Sequence, residues 1–276
     1  MSGSYKVAWL CEALMVSRSG YYDWCQRQQV PGRRQRENLQ LRERIRAVFM
    51  ANRRAYGSPR ITRELQGVAS RNRVARLMRV ERLRARQRSK YRPVTTDSRH
   101  ADPIAPNRLP DVKVVRLDQV WVTDATCVIT AQGWLYVVAL LDVYSRRVVG
   151  WAMGEHLDAA LVLAALRMAV RKRRPRQPLI VHSDRGSQFA CQAYRQALAA
   201  YGLTASMSRK GNCYDNAYIE SFWSSMKHEA IFGRRFSTRA EARSVVFDYI
   251  ESFYNPRRLH SSLGFRSPIN FESNLN

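Results

Sequence analysis

Residues 120–153 constrain the fold of this chain more than any other stretch. Val120, Val122, Asp124 and Thr126 alternate with Trp121, Thr123 and Ala125, the two-residue period of a strand. Gln132-Gly133 signals a turn, Trp134 to Asp142 is almost unbroken apolar sequence, Ser145-Arg146 turns again, and Val148 to Met153 is apolar once more. Strands joined by such short turns pair antiparallel, because a parallel pair needs a long crossover. The period then changes. Asp158 precedes Leu161, Ala164, Ala165, Met168 and Ala169 at helical spacing; Leu179-Ile-Val-His182 reads as a buried strand, and residues 188–201 as a helix. Leu203 to Met207 reads as a further strand, and Asp215 opens a helix. The order βββαβαβα predicts a mixed α/β sheet covered by helices.

Three carboxylates fall on this framework. Asp124 lies in the first strand, within Trp121-Val-Thr-Asp-Ala-Thr126. Asp184 lies where a strand gives way to a glycine turn, in Val181-His-Ser-Asp-Arg-Gly-Ser-Gln188, and Glu220 lies in the helix Asp215-Asn-Ala-Tyr-Ile-Glu-Ser-Phe-Trp223. A lone aspartate is most often a cap, a turn residue or half of a salt bridge. Three acids on three elements able to meet at one sheet edge are a different matter in a very basic chain. Hard divalent cations prefer carboxylate and water oxygen. Two of them, about 3.5–4 Å apart, clamp the attacking and leaving oxygens of a phosphodiester. Such chemistry needs no covalent enzyme intermediate, so no Ser, Tyr or Cys nucleophile is sought.

Charge points the same way. The 276 residues carry a formal net charge of +25, and residues 1–115 hold 26 Lys/Arg against 9 Asp/Glu. Arginine dominates, and its planar fork suits phosphate. Nucleic acid is the expected partner rather than a membrane surface. The longest apolar run, Leu135 to Leu141, is too short to cross a bilayer of about 30 Å, and no apolar signal segment opens the chain. Cys11, Cys25, Cys127, Cys191 and Cys213 are scattered without a Cys-x-x-Cys pair, which argues against structural zinc and a disulfide framework. A reducing, cytoplasmic setting is expected.

The amino-terminal region reads as all-α. Val7, Leu10 and Leu14 recur at helical spacing, Ser17 can cap the next helix, and Tyr21, Tyr22 and Trp24 form an aromatic cluster. Leu41, Ile45, Val48 and Phe49 make a stripe, Tyr56-Gly-Ser-Pro59 breaks it, and residues 61–66 suggest a short second helix. Ser70 caps a third, with Val74, Leu77 and Met78 inward and Arg71, Arg73, Arg76, Arg79 and Arg82 elsewhere. Helix, turn and arginine-studded helix is the layout of a helix-turn-helix DNA reader; the plainer alternative is a helical bundle with a charged surface. On the first reading Arg60, Arg71, Arg73 and Arg76 contact DNA, with Arg73 and Arg76 on the exposed face. Residues 1–92 form this DNA-binding region, 93–115 a proline-bearing linker lying on DNA, 116–232 the catalytic core and 233–276 a helical extension of it.

The wording of the chain resembles a known family. The segments that carry the likeness include Tyr56-Gly-Ser-Pro-Arg-Ile-Thr62, Asp142-Val-Tyr-Ser-Arg-Arg-Val-Val-Gly-Trp151, His182-Ser-Asp-Arg-Gly-Ser-Gln188, Asp215-Asn-Ala217 with Glu220-Ser-Phe222, and Tyr254-Asn-Pro-Arg-Arg-Leu-His-Ser-Ser-Leu-Gly264. They resemble the ribonuclease H-like core of DDE transposases and retroviral integrases, and in detail the downstream-frame product of IS-three type insertion sequences. The resemblance implies Asp124, Asp184 and Glu220 as the metal-binding catalytic triad and two Mg²⁺ or Mn²⁺ ions as cofactor. It implies cleavage and strand transfer on double-stranded DNA, by a homo-oligomer. It also implies a DNA-end contact at Lys227, and an upstream-frame protein as partner. Arg209 and Lys210 are further candidate DNA contacts. The loop Gln66 to Ser70 is shorter than the family's, Cys127 replaces an expected aromatic, and the amino-terminal zinc module of retroviral integrases has no counterpart. Other readings are a regulatory or inactive downstream-frame product, or an RNA–DNA hybrid nuclease, which would not need the basic amino-terminal helices. His182 either orients a ligand or packs the core. His260 packs or touches DNA, Asp215 and Asn216 cap their helix, and the run Arg171 to Arg174 is either a solvated helix end or a DNA contact.

Overall fold

The apolar runs of residues 120–153 form an antiparallel meander in the computed structural model, which describes residues 5–29, 32–85, 102–175, 178–209 and 216–275. Strands β1 (Val120–Thr130), β2 (Gly133–Asp142) and β3 (Val148–Gly154) pair in sequence, with Thr130 opposite Gly133 and Trp121 opposite Asp142. The first turn is tight enough to need Gly133 at φ +102°, a conformation that glycine adopts without a Cβ penalty. At the second turn Asp142 is fully buried and accepts from the backbone N–H of Ser145 (2.7 Å) and of Asp118 (2.7 Å) and from the Ser145 hydroxyl (2.9 Å).

Helix α6 (Ala159–Arg173) then crosses back, capped by Asp158, whose carboxylate accepts from Leu161 N. It lies so close to β3 that a Cβ on Gly150 would stand 2.5 Å from Ala165 O and 2.6 Å from Ala169 Cβ. The crossover delivers β4 (Ile180–Ser183) parallel to β1, and after α7 (Ser187–Ala190) and α8 (Gln192–Ala200) comes β5 (Thr204–Met207), parallel to β4. The sheet order is β3-β2-β1-β4-β5, the mixed ribonuclease H-like sheet that the sequence predicts. The single helix expected over 188–201 is interrupted at Cys191, whose ψ of 152° is extended. Trp121, Ala125, Val138, Leu140 and Val149 meet Leu161, Ala165, Leu166, Phe189, Tyr194 and Leu198 in one continuous core on the α6 side of the sheet.

Contacts with β1 and β2 on the other side come from α9 (Ala217–Met226), which runs on as a π turn over Lys227–Ile231, and α10 (Arg239–Phe247), which runs on as a π-helical stretch over Asp248–Tyr254. The edge strand β3 is closed by a side chain: Asn255 accepts from Val148 N and donates to Val148 O, both at 3.0 Å. Short α11 (Pro268–Ser273) follows. Its Glu272 pairs with Arg173 at 2.8 Å, and Arg173 also binds Asp118 at 2.8 Å. Arg173 is thus a structural residue, neither solvated nor free for DNA, whereas Arg171 and Arg174 beside it are exposed.

The chain divides into two compact units, residues 1–85 and 86–276. In the first, α1 (Val7–Ala13), α2 (Arg18–Gln29), α3 (Arg33–Ala51), α4 (Ser58–Glu64) and α5 (Arg71–Val80) follow one another. Leu41, Ile45, Phe49, Tyr56, Ile61, Leu65, Val74, Leu77 and Met78 are buried. Ser70 caps α5 through Arg73 N, as its position predicts. Two expectations change. Gly57-Ser-Pro59 starts α4 rather than only breaking α3, because proline in a first turn loses no hydrogen bond. Leu14 is the exposed residue closing α1, and Cys11 takes the buried place instead.

Candidate active site

β1 and β4 lie side by side, and their register pairs Val122 with His182. Two residues further along β1 stands Asp124, and Asp184 follows directly after the last residue of β4. Asp124 and Asp184 therefore stand on two interior strands of the sheet, where β4 ends and β1 runs on. The strand order explains the place. Connections from β1 lead to one half of the sheet and those from β4 to the other, and such a switch leaves a crevice at the strand ends.

Asp124 is fixed through both oxygens: Oδ1 accepts from Ala125 N at 2.7 Å and Oδ2 from Trp223 Nε1 at 3.2 Å. Asp184 Oδ1 accepts from Gly186 N at 3.0 Å, an Asx-type turn that leads β4 into α7. Glu220 sits in the first turn of α9, and Asp184 and Glu220 are both half-buried. Burial pushes the Asp124 carboxyl up to about 8; the charge of Asp184 adds to this and Glu220 adds less, while the bonds from Ala125 and Trp223 oppose it. All three acids thus share one electrostatic neighbourhood. Among the described residues no three Asp, Glu, His or Cys side chains already form a metal cage. Mg²⁺ does not require one, since it keeps waters and binds through one or two carboxylates plus substrate phosphates. Like charges crowded over a partly buried acid suit a divalent cation, which relieves their repulsion.

Lys227, two turns beyond Glu220, is half-buried; burial lowers its pKa, and Cys127 and Asp124 pull the other way. Lys227 therefore stands within electrostatic reach of Asp124. Cys127 is only partly buried and its thiol is pushed up by burial against the influence of Lys227, so it borders the site instead of filling the core. Arg209 is exposed just past β5, at the strand ends that carry Asp184. Lys210 and Asp215 lie outside the described residues. Asn216 makes no side-chain cap to α9, contrary to expectation.

His182 is fully buried and its Nδ1 lies 2.8 Å from Ser206 Oγ, which ties β4 to β5. It is a core histidine. His260 packs edge-on against Tyr254 at 5.0 Å. In the helical unit Arg71 and Arg76 are exposed, and the Arg60 guanidinium lies 5.4 Å from the Tyr56 ring centre. Arg73 departs from expectation. It is partly buried, with Nε 3.0 Å from Asn38 Oδ1 and Nη2 3.5 Å from Glu37 Oε2, so it joins α5 to α3. Trp223 was not singled out by sequence; its place three residues after Glu220, on one helix face, was the available signal.

Residues 115–213 match the model of an integrase core domain, residues 201–268 match a second integrase core domain model, and residues 35–91 match an HTH-like domain. An insertion element IS600 uncharacterized 31 kDa protein of Shigella sonnei is 45% identical over 266 residues, covering 95% of this chain and 97% of that protein. The transposase InsF for insertion sequence IS3A of Escherichia coli (strain K12) is 39% identical over 274 residues, covering 98% and 94%. Among solved structures, the HTLV-2 integrase catalytic core domain in complex with magnesium aligns at 12% identity and a TM-score of 0.45, over 58% of this chain and 99% of that one.

Proposed function

The chain belongs to the IS3-family insertion-sequence transposases, and on that premise we propose that Asp124, Asp184 and Glu220 carry its cleavage and joining of DNA at element ends. The observation behind this reading is that Asp184 and Glu220 both act electrostatically on Asp124, Asp184 from the end of the strand paired parallel to β1 and Glu220 from the helix packed against β1. Divalent ions held by these carboxylates, Mg²⁺ or Mn²⁺, would activate the attacking water or 3′-hydroxyl and stabilise the leaving oxygen. The protein's own part is placement. Ala125 N and Trp223 Nε1 orient Asp124, and Gly186 N orients Asp184. Half-buried Asp184 and Glu220 stay open to substrate.

The division of labour follows the charge. Residues 1–92 grip DNA, chiefly through phosphate, with Arg60, Arg71, Arg73 and Arg76 among the contacts. Residues 93–115 link this region to the core at 116–232, which residues 233–276 brace. Lys227 holds the DNA end beside the acids, and Arg209 and Lys210 are further DNA contacts. The active form is an oligomer assembled on DNA in the cytoplasm, with an upstream-frame protein as a possible further subunit. The test is direct: purified protein, Mg²⁺ and duplexes carrying the inverted repeats that flank its own gene, scored for cleavage and joining. No product with either Mg²⁺ or Mn²⁺, with the upstream-frame protein present or absent, would refute the reading.

A further inference from the structure

Helix α9 offers the site two side chains one turn apart, Glu220 and Trp223, and the second reaches the strand that bears Asp124. The indole is 5% exposed and packs on Phe222 with ring centres 4.7 Å apart. Phe222 in turn packs on Tyr254, 4.8 Å away, so the ring has little freedom to turn. An indole N–H only donates, which makes the sense of the 3.2 Å contact with Asp124 Oδ2 unambiguous. Because Ala125 N takes Oδ1 at 2.7 Å, each carboxylate oxygen receives one protein donor and keeps a lone pair to offer.

We propose that Trp223 is a positioning residue for the reaction: it fixes the plane of the Asp124 carboxylate and locks β1 to α9, so that Asp124 and Glu220 keep the spacing a shared divalent ion needs. The proposal rests on the assignment of those two acids above. Donors that orient ligating groups in this way usually matter by about 10–100-fold in metal affinity or activity. A merely structural tryptophan would affect folding and leave metal affinity alone.

The experiment uses the full chain in four forms: wild type, Trp223→Phe, Trp223 replaced by 3-benzothienylalanine, and Asp124→Asn. The benzothienyl side chain keeps the bicyclic shape and lacks the N–H. Mn²⁺ binding is read from loss of the free-ion EPR signal, next to the melting temperature without metal and the Mn²⁺ dependence of joining. The expected result is a benzothienyl variant with near wild-type melting temperature and Mn²⁺ binding about 10–100-fold weaker. Its joining should recover at high Mn²⁺, and Trp223→Phe should weaken binding at least as much. Unchanged Mn²⁺ affinity in the benzothienyl variant, whether or not its melting temperature falls, would overturn the proposal. Full Mn²⁺ binding and joining by Asp124→Asn would instead overturn the assignment of the acids.

Discussion

Arg258 encloses the carboxylate of Glu229: its Nη2 lies 2.7 Å from Oε1 and its Nε 2.8 Å from Oε2, with both residues under a tenth exposed. Tyr249 donates to the same carboxylate at 2.8 Å, and a further Arg258 contact reaches Ser225 at 3.0 Å. Ser225 and Glu229 extend the helix that carries Glu220, so this buried network ties the carboxy-terminal segment to the active-site helix. Removing one partner of such a pair strands the other charge and costs about 3–5 kcal/mol. Arg258→Met should therefore lower stability by that order in urea unfolding. The double change Arg258→Met with Glu229→Met should recover much of it. A double variant as unstable as the sum of the two singles would show that the pair is not coupled.

Asp124→Asn, Asp184→Asn and Glu220→Gln should each abolish metal-dependent cleavage and joining while DNA affinity stays near wild type. Each removes a charge that holds an ion and keeps the side-chain shape. Paired strand-transfer and gel-shift assays check this, and one variant with near wild-type joining is enough to refute the assignment of that acid.

Lys227→Ala should impair end cleavage and joining at physiological salt without lowering the melting temperature. Lys227→Arg should restore part of the activity, since it keeps the charge but not the compact point contact. Cleavage by the alanine variant at the wild-type rate would make Lys227 a helix residue with no part in the site.

DNA affinity should fall steeply with salt, by about 0.9 log units per phosphate contact for each log unit of salt. Arg76 and Arg73 should now differ. Exposed Arg76→Ala should reduce affinity and the salt slope with little change in stability. Arg73→Ala, which breaks the tie to Asn38 and Glu37, should also destabilise the helical unit. Equal stability of the two variants in thermal melts would contradict this distinction.

Asp142 gives a pH signature. Burial raises its pKa to about 6, against the bonds from Ser145 and Asp118. A raised acid favours the folded state below its unfolded pKa near 4, and that advantage is lost as pH rises through about 6. Stability in that window should therefore decline with pH by on the order of 3 kcal/mol from this residue. Asp142→Asn should flatten that part of the profile. A variant whose stability falls between pH 4 and 6 as steeply as the wild type would show that Asp142 is already ionised there.

Much of this protein was legible in the sequence because local chemistry enforces it. Alternation at Val120–Thr126, the turn at Gln132-Gly133, and caps at Ser70 and Asp158 depend on neighbours within a few residues, and each stands where the pattern puts it. The local settings of the three proposed acids were legible too, since each falls at a recognisable place on its strand, turn or helix. What linear sequence does not carry is register between distant segments. That Asp184 comes near enough to act on Asp124, that Trp223 reaches Asp124, that Arg173 is taken up by Asp118 and Glu272, and that Arg73 ties α5 to α3 all depend on contacts 35 or more residues apart. An arginine reads the same in sequence whether it faces water, DNA or a buried carboxylate. Only the packing of helices on the sheet decides which, because a buried charge must find a partner while an exposed one need not.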